Sequence, residues 1–265
     1  MNVLKLYLKG FLMGLCDLIP GISGGTIAFI TGIYDKLIGE VNNFFHFKKF
    51  DWKFLLVLGI GIVSAILALS HLISYLLKYY MAFTMSFFFG LILASSKFIF
   101  SDIPIKKKNY WFGIFGFSVG LLFLLLSPTI VFKPSILYVI LGGFLAISAM
   151  FLPGISGSFI LLILGLYEYI ITAVKTFDYV SLSYFGVGVL IGAVVISRII
   201  HFFLSRFKSQ TLYFLFGLVI GSSLILVNKI AEVNNNYLDI LSFSVFFLMG
   251  LIFSYSIGKL RKKND

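Results

Sequence analysis

Two short stretches of this sequence combine the residue types that end one helix and begin another. Residues 20–25 read PGISGG and residues 153–158 read PGISGS. Proline interrupts a helix because it lacks an amide proton, glycine allows a tight turn, and serine commonly caps the helix that follows. The first amides of a new helix carry partial positive charge and are suited to phosphate or carboxylate. The chemistry that these stretches suggest is therefore anion binding.

Both stretches lie within strongly apolar sequence, where free amides are costly unless something satisfies them. Either the breaks form a site, or they only kink helices whose neighbours bond the freed groups. The duplication favours a site, because irregular backbone at membrane depth occurs where it faces a cavity or the protein interior. The candidate binding residues are Pro20, Gly21, Ser23, Gly24, Gly25 and Thr26 in the first copy, and Pro153, Gly154, Ser156, Gly157 and Ser158 in the second.

The composition is that of an integral membrane protein. Of 265 residues, 60% are hydrophobic and 12% are charged, whereas soluble domains are about half apolar and a quarter charged. Residues 54–77 form one apolar run that meets the roughly 20 residues a helix needs to cross the bilayer. Unbroken runs of this kind do not fit the alternating strands of an outer-membrane barrel. We expect an all-α polytopic membrane protein.

Cysteine content and charge exclude several other classes of protein. The single cysteine, Cys16, is incompatible with a disulfide framework or a thiolate cluster, and we expect no metal and no cofactor. The net charge is +11, but the basic residues cluster at the ends of apolar segments. Membrane orientation explains this pattern better than nucleic-acid binding does.

The order of the apolar segments repeats along the chain. Ten segments are predicted, at about 4–19, 26–40, 54–77, 80–100, 110–132, 136–152, 159–174, 184–205, 211–230 and 237–258. Each half contains two short segments joined by a break, followed by three of full length. We therefore expect a single membrane domain, residues 1–265, made of two repeats at about 4–132 and 136–258.

Matching residues support a duplication. A shift of 133 positions superimposes the two breaks and aligns Tyr34 with Tyr167. After a longer loop in the first half, a shift of 127 positions aligns Gly90 with Gly217. One match alone carries little weight, but many matches in a common order indicate duplication.

Three full segments per half is an odd number. If each short pair forms a hairpin, the second half is inverted relative to the first. In that arrangement 16 of the 21 basic residues, Lys9 among them, lie on one side, four lie on the other, and Arg198 lies within a segment. The positive-inside rule then places both termini in the cytoplasm. The rule does not distinguish re-entrant hairpins from pairs of short crossing helices.

Three further side chains are candidates for binding the anion. Arg198 lies within its segment, His201 follows one turn later on the same face, and the 127 shift places His71 opposite Arg198 in the repeat. An arginine inside a membrane costs about 2.5–3.5 kcal/mol on insertion scales, so a partner is expected. Arg198 either contacts phosphate, which a guanidinium suits, or extends to the cytoplasmic interface. His71 either joins it or makes an ordinary polar contact between helices.

Acidic residues flank the breaks. Asp17 and Glu168 are candidates for carrying protons in a coupled cycle, or for pairing with Arg198 when no anion is bound; surface positions are the alternative. Asp35 aligns with Glu168 but adjoins Lys36, and is predicted to lie on the surface.

Glycines four residues apart are predicted to allow close helix packing and to have no other role. The pairs are Gly10/Gly14, Gly116/Gly120, Gly188/Gly192 and Gly217/Gly221.

The sequence around the two breaks resembles a known family. DLIPGISGGTIAFITGIYDKLI, which starts at Asp17, and FLPGISGSFILLILGLYEYI, which starts at Phe151, resemble the paired signatures of the bacterial polyprenyl-phosphate transporters. The resemblance covers nearly the whole chain. It implies a multi-pass protein of the bacterial cytoplasmic membrane that moves undecaprenyl phosphate, the lipid carrier of cell-wall synthesis, back to the cytoplasmic leaflet. Because the second copy has Ser158 and Phe159 where the first has Gly25 and Thr26, we expect unequal half-sites.

The residues and the resemblance together predict a lipid-phosphate translocase and not an enzyme. The phosphate is expected at the paired helix starts, while the isoprenoid tail stays in the lipid. A secondary transporter of a small soluble anion would use the same site but open to water. A lipid phosphatase is the third alternative, but SRIIH at residues 197–201 lacks the spacing and the partner acid of such enzymes.

Overall fold

The structure is a computed structural model that describes residues 2–19, 23–103, 109–126, 134–233 and 237–259. These residues form twelve helices, and none of them lies in a strand. The helices are α1 Val3–Asp17, α2 Gly24–Ile30, α3 Tyr34–Phe45, α4 Trp52–Tyr79, α5 Met81–Ser101, α6 Tyr110–Leu125, α7 Ile136–Phe151, α8 Gly157–Ile163, α9 Tyr167–Lys175, α10 Tyr179–Arg206, α11 Lys208–Val233 and α12 Tyr237–Lys259. The all-α prediction is confirmed.

The chain is a multi-pass membrane protein. By length and apolar composition, α4, α5, α10 and α11 can each cross a membrane, and counting the bent pair α8–α9 as one span gives five. The sequence predicts three full spans per half, and two per half meet this test. The α6 helix has 16 residues, a rise of about 24 Å. Residues 127–132 of its predicted segment lie outside the described residues.

The helix starts follow the two spacings found in the sequence. The first three helices, α1 to α3, begin 133 residues before α7 to α9, and α4 to α6 begin 127 residues before α10 to α12. The packing corresponds as well, because α1 lies along α4 as α7 lies along α10, and α5 lies along α12 as α11 lies along α6. The two halves thus contain corresponding helices in the same order.

The predicted segments 26–40 and 159–174 are each two helices, so the prediction of one helix per segment was wrong. The chain turns at Gly32, with φ 69°, and at Gly165, with φ 68°. In both turns the amide that follows the glycine donates to a carbonyl five residues earlier, at 2.9 Å. This left-handed helix end requires the conformational freedom of glycine.

The short helices α2 and α8 fold back along α1 and α7. The Lys9 ammonium donates to the carbonyl of Thr31 at 2.7 Å, and the Tyr138 hydroxyl donates to the carbonyl of Leu164 at 2.8 Å. Thr31 and Leu164 are the C-caps of α2 and α8, 133 residues apart. A cation is favourable at a helix C-terminus. Lys9, which the sequence places at the membrane surface, is instead 2% exposed.

Glycines bring the paired helices into backbone contact. A Cβ atom on Gly10 would overlap the Leu58 carbonyl of α4, and one on Gly188 would overlap the Ile140 carbonyl of α7. All eight glycines predicted to pack closely face a neighbouring helix in this way. The packing prediction is confirmed.

Exposed ion pairs attach α3 to its neighbours. Asp35 pairs with Lys208 of α11 at 2.8 Å, and Lys36 pairs with Asp51, the N-cap of α4, at 2.8 Å. The hydrogen bond from Lys36, together with the Phe54 amide, holds the pKa of Asp51 below its usual range. The surface position predicted for Asp35 is confirmed, since its side chain is 53% exposed.

Replacing Gly188 with alanine tests the glycine contacts. Overpacking costs about 1–3 kcal/mol, so we expect the melting temperature of the detergent-solubilised protein to fall by roughly 2–12 °C. Gly186→Ala is the matched control on the same helix, because a Cβ there meets nothing within 4 Å and alanine favours the helix. Equal melting temperatures for the two variants would contradict the packing account.

Candidate functional site

The two breaks lie against each other. The Ser23 hydroxyl donates to the Met150 carbonyl at 3.2 Å, and the Gly154 amide donates to the Thr26 hydroxyl at 3.0 Å. A Cβ on Gly25 would lie 3.6 Å from the Cα of Pro153. The expected approach of the two breaks is therefore observed, whereas anion binding between them stays a prediction. We call this contact region, formed by residues 23–26, 34 and 150–158, the junction.

Tyr34 is a further residue of the junction that sequence reasoning missed. Its hydroxyl donates to the Phe151 carbonyl at 2.9 Å, its ring stacks on Phe29 with centroids 3.9 Å apart, and it is 2% exposed. The alignment of Tyr34 with Tyr167 in the repeat was the available signal. That signal marks an equivalent position but does not reveal the contact with Phe151.

The first half-site is closed by its own side chains. The amide of Gly24 donates to the Asp17 carboxylate at 2.7 Å, that of Gly25 to the Ser23 hydroxyl at 3.1 Å, and that of Thr26 to the Ser23 carbonyl at 2.9 Å. Ser23 is therefore the N-cap of α2, as predicted. The Asp17 carboxylate occupies the position where an anion would bind this helix start.

Asp17 also faces a cavity beside the junction. This cavity of about 160 Å³ is lined by Asp17, Gly25, Tyr34, Met150 and other residues. The second carboxylate oxygen of Asp17, Oδ2, is buried and has no hydrogen-bond partner among the described residues. The predicted site residues Pro20 and Gly21 lie outside the described residues.

The second half-site is arranged differently. Ser156 is the N-cap residue of α8, as predicted, but its side chain makes no hydrogen bond to the helix start. The Ser156 and Ser158 hydroxyls instead pair with each other at 2.8 Å. Phe159, which aligns with Thr26, has no hydroxyl that could accept a hydrogen bond as Thr26 does from the Gly154 amide. The expected inequality of the two half-sites is thus present in their hydrogen bonding.

Other residues of the second break pack against helices. Gly154 has φ 88°, and a Cβ there would lie 2.6 Å from the Ser222 hydroxyl of α11. A Cβ on Gly157 would lie 2.7 Å from the Ala146 carbonyl of α7. The two glycines therefore let the second break fit between neighbouring helices.

Four predicted site residues lie away from the junction. Arg198, His201, His71 and Glu168 are exposed, and none of them lines the cavity beside Asp17. Within the described part of the chain, Arg198 makes no hydrogen bond or ion pair. Their roles in binding or coupling stay predictions. Among the described residues there is also no group of three or more His, Cys, Asp or Glu side chains that could hold a metal.

A polar crevice adjoins the junction on the other side of Tyr34. The crevice has a volume of about 250 Å³, and its walls include Gly32, Asp35, Asp102 and Lys208. Tyr34 lines both this crevice and the cavity beside Asp17. Its ring therefore separates a charged surface crevice from the buried polar groups of the junction.

Comparison with known proteins assigns the family. A family model described as undecaprenyl phosphate translocase-like matches residues 13–240. The chain belongs to this family. A polyprenyl-phosphate transporter of Vibrio cholerae is 39% identical over 241 residues, which cover 84% of this chain and 77% of that protein. A polyprenyl-phosphate transporter of Staphylococcus aureus is 33% identical over 280 residues, 97% of each chain. No solved structure matches.

The family match includes both breaks and the junction. The sequence resemblance is confirmed by the family and by the two relatives. The family is described as translocase-like, and both relatives are named as transporters. These names agree with the expectation that the chain is not an enzyme.

Thr26→Val tests the link between the breaks of this translocase-like protein. Valine removes the acceptor of the Gly154 amide, and an unsatisfied buried amide costs about 1–3 kcal/mol. We therefore expect the Gly154 amide to exchange hydrogen roughly 10–100-fold faster, as measured by hydrogen–deuterium exchange. Thr26→Ser keeps the hydroxyl and should keep the protection. Unchanged protection in the valine variant would show that the bond does not hold the breaks together.

Proposed function

We propose that this protein translocates undecaprenyl phosphate across the bacterial cytoplasmic membrane, with the phosphate bound at the junction. The observation that carries the proposal is the hydrogen-bonded contact of two interrupted helices inside an apolar multi-pass fold. The names of the relatives supply the substrate class, polyprenyl phosphate. Return of the carrier to the cytoplasmic leaflet for cell-wall synthesis is the role that follows.

The hydroxyl groups of the junction are able to exchange partners. Ser23 and Tyr34 now donate to backbone carbonyls, and Ser156 and Ser158 bond to each other. A hydrogen bond between neutral groups contributes about 0.5–1.5 kcal/mol, whereas one to a charged group contributes about 1.5–3 kcal/mol. An incoming phosphate therefore competes well for these donors. Of the two half-sites, the second is the more open, since α8 has no side-chain cap.

Asp17 sets a condition on phosphate binding. Its carboxylate already holds the first amide of α2, and two like charges about 4 Å apart repel by about 4 kcal/mol at an effective dielectric constant of 20. The phosphate enters only when Asp17 is protonated or turns away. We propose that Asp17 thereby couples proton binding to transport. Glu168, which is exposed at the start of α9, is the second candidate.

We further propose that the two halves are inverted repeats with re-entrant hairpins and cytoplasmic termini. Support for inversion comes from Phe100, at the end of α5, which packs 5.5 Å from Phe216, near the start of α11. An antiparallel arrangement of these equivalent helices accounts for this contact. Support for the hairpins comes from the Lys9 bond that holds α2 back along α1. The 15 residues of α1 rise about 22 Å, less than the roughly 30 Å hydrocarbon layer.

A transporter of a small soluble anion is the second candidate function. It is favoured by the polar crevice beside Tyr34, which would give a soluble anion an aqueous route toward the junction. Transport assays with inorganic phosphate and with undecaprenyl phosphate separate the two functions.

Removing the second pair of hydroxyls tests the phosphate site. We expect Ser156→Ala/Ser158→Ala to slow translocation of undecaprenyl phosphate in proteoliposomes at least tenfold, because each bond to a charged group contributes about 1.5–3 kcal/mol. Ser205→Ala is the control, since that exposed hydroxyl donates only to the Phe202 carbonyl of its own helix. Wild-type rates in the double variant would exclude these hydroxyls from the site. Movement of inorganic phosphate alone would favour the second function.

Cysteine labelling tests the inverted arrangement. In a Cys16→Ser background, we expect Lys49→Cys and Arg206→Cys to react with an impermeant maleimide only from the cytoplasmic side, and Lys78→Cys only from the outside. All three positions are exposed. Labelling of positions 78 and 206 from the same side would contradict the inversion, because they end the equivalent helices α4 and α10.

A further inference from the structure

An apolar groove lies on the outer side of the second break. It has a volume of about 600 Å³ and runs between α6, α10 and α11. Its walls include Phe115 of α6, Ile196 and Phe203 of α10, and Phe214 of α11. Thr211 also lines it, but the Thr211 hydroxyl donates to the Phe203 and Phe207 carbonyls at 3.1 and 2.9 Å. Gln210 is the other polar side chain of the lining, and the remaining lining residues are apolar.

The groove shares a wall with the junction. Leu152 lines the groove, and the two preceding residues, Met150 and Phe151, line the cavity beside Asp17. The carbonyls of Met150 and Phe151 accept hydrogen bonds from the Ser23 and Tyr34 hydroxyls. The three residues before Pro153 thus lie between the groove and the cavity that contains the Asp17 carboxylate.

We propose that this groove binds the isoprenoid chain of the lipid whose phosphate occupies the junction; the inference rests on the proposed function. A phosphate and its chain are covalently joined, so their two sites must adjoin, and residues 150–152 between them line both the groove and the cavity at the junction. The volume lies in the range of about 300–1,000 Å³ that is typical of ligand sites. The groove holds the part of the chain next to the phosphate, and the remainder extends into the bilayer.

Packing supplies the selectivity of such a groove. Lipid tails are as apolar as the groove, so the hydrophobic effect does not drive the chain into it. Binding depends on van der Waals contact with the walls, which is weak for each atom pair and large in sum. Phe115, Phe203 and Phe214 give these walls large, rigid surfaces. A methyl-branched chain that fits them is preferred over the straight acyl chains of the surrounding lipid.

Photo-crosslinking tests occupancy of the groove. The probe is undecaprenyl phosphate with a diazirine on an isoprene unit near the phosphate, bound to the full-length protein in proteoliposomes. We expect crosslinks on groove residues of α6, α10 and α11 that unlabelled undecaprenyl phosphate reduces about tenfold and phosphatidylglycerol does not. Crosslinks reduced equally by both lipids would show that ordinary acyl chains fill the groove and would overturn the proposal.

Substitutions on two helices make the test specific. Ile196→Trp narrows the groove, and Val195→Trp on the outer face of α10 is its control. Phe115→Ala widens the groove. Because the Phe115 residue is 62% exposed in the wild type, we expect this variant to fold. Leu122→Ala is its control, since Leu122 is 57% exposed on the same helix. We expect both groove variants to slow translocation of undecaprenyl phosphate about tenfold and both control variants to keep the wild-type rate. Equal rates in the groove variants and their controls would overturn the proposal.

The outcomes separate the groove from the proposed function. Competed crosslinks in a protein that translocates no polyprenyl phosphate would support the groove and refute the transport function. Translocation without crosslinks in the groove would support transport and refute the groove.

Discussion

The structure depends on satisfying the backbone polar groups that two interrupted membrane helices expose. In lipid an unsatisfied amide or carbonyl costs several kcal/mol. Side chains of the first half satisfy backbone groups at the second break. Ser23 and Tyr34 donate to the last carbonyls of α7, and Thr26 accepts from the Gly154 amide. The paired glycine contacts and the bond from Lys9 to the Thr31 carbonyl hold the short helices where these hydrogen bonds can form.

The two halves contain equivalent helices but differ in their hydrogen bonds, and this difference makes the two half-sites unequal. The first half provides the side chains that bond to the second, and its own helix start is already occupied by Asp17. The second half keeps an uncapped helix start with a hydroxyl pair, Ser156 and Ser158. An anion would therefore be received mainly by the second half, while the first half responds through Asp17. The apolar groove beyond Leu152, which we propose as the chain-binding surface, is lined by α10 and α11 of that half and by α6 of the first half.

Much of the fold could be predicted from the sequence, because apolar periodicity, proline and closely spaced glycines act locally. The Ser23 cap and the glycine contacts are examples. The turn at Gly32 was missed because glycine is tolerated within helices as well as at their ends. Lys9 was misplaced because the positive-inside rule counts lysines and does not detect a buried acceptor such as the Thr31 carbonyl. In the site, the sequence locates the breaks, but which group satisfies which depends on tertiary contacts.

The central claim is that the phosphate binds between the breaks, and a distance measurement tests it most directly. Solid-state NMR can measure dipolar coupling between the phosphorus of bound undecaprenyl phosphate and ¹³C-labelled serine Cβ atoms in the membrane-embedded protein. The account predicts a coupling that disappears in Ser156→Ala/Ser158→Ala. A bound lipid whose phosphorus shows no coupling to these serines would contradict it.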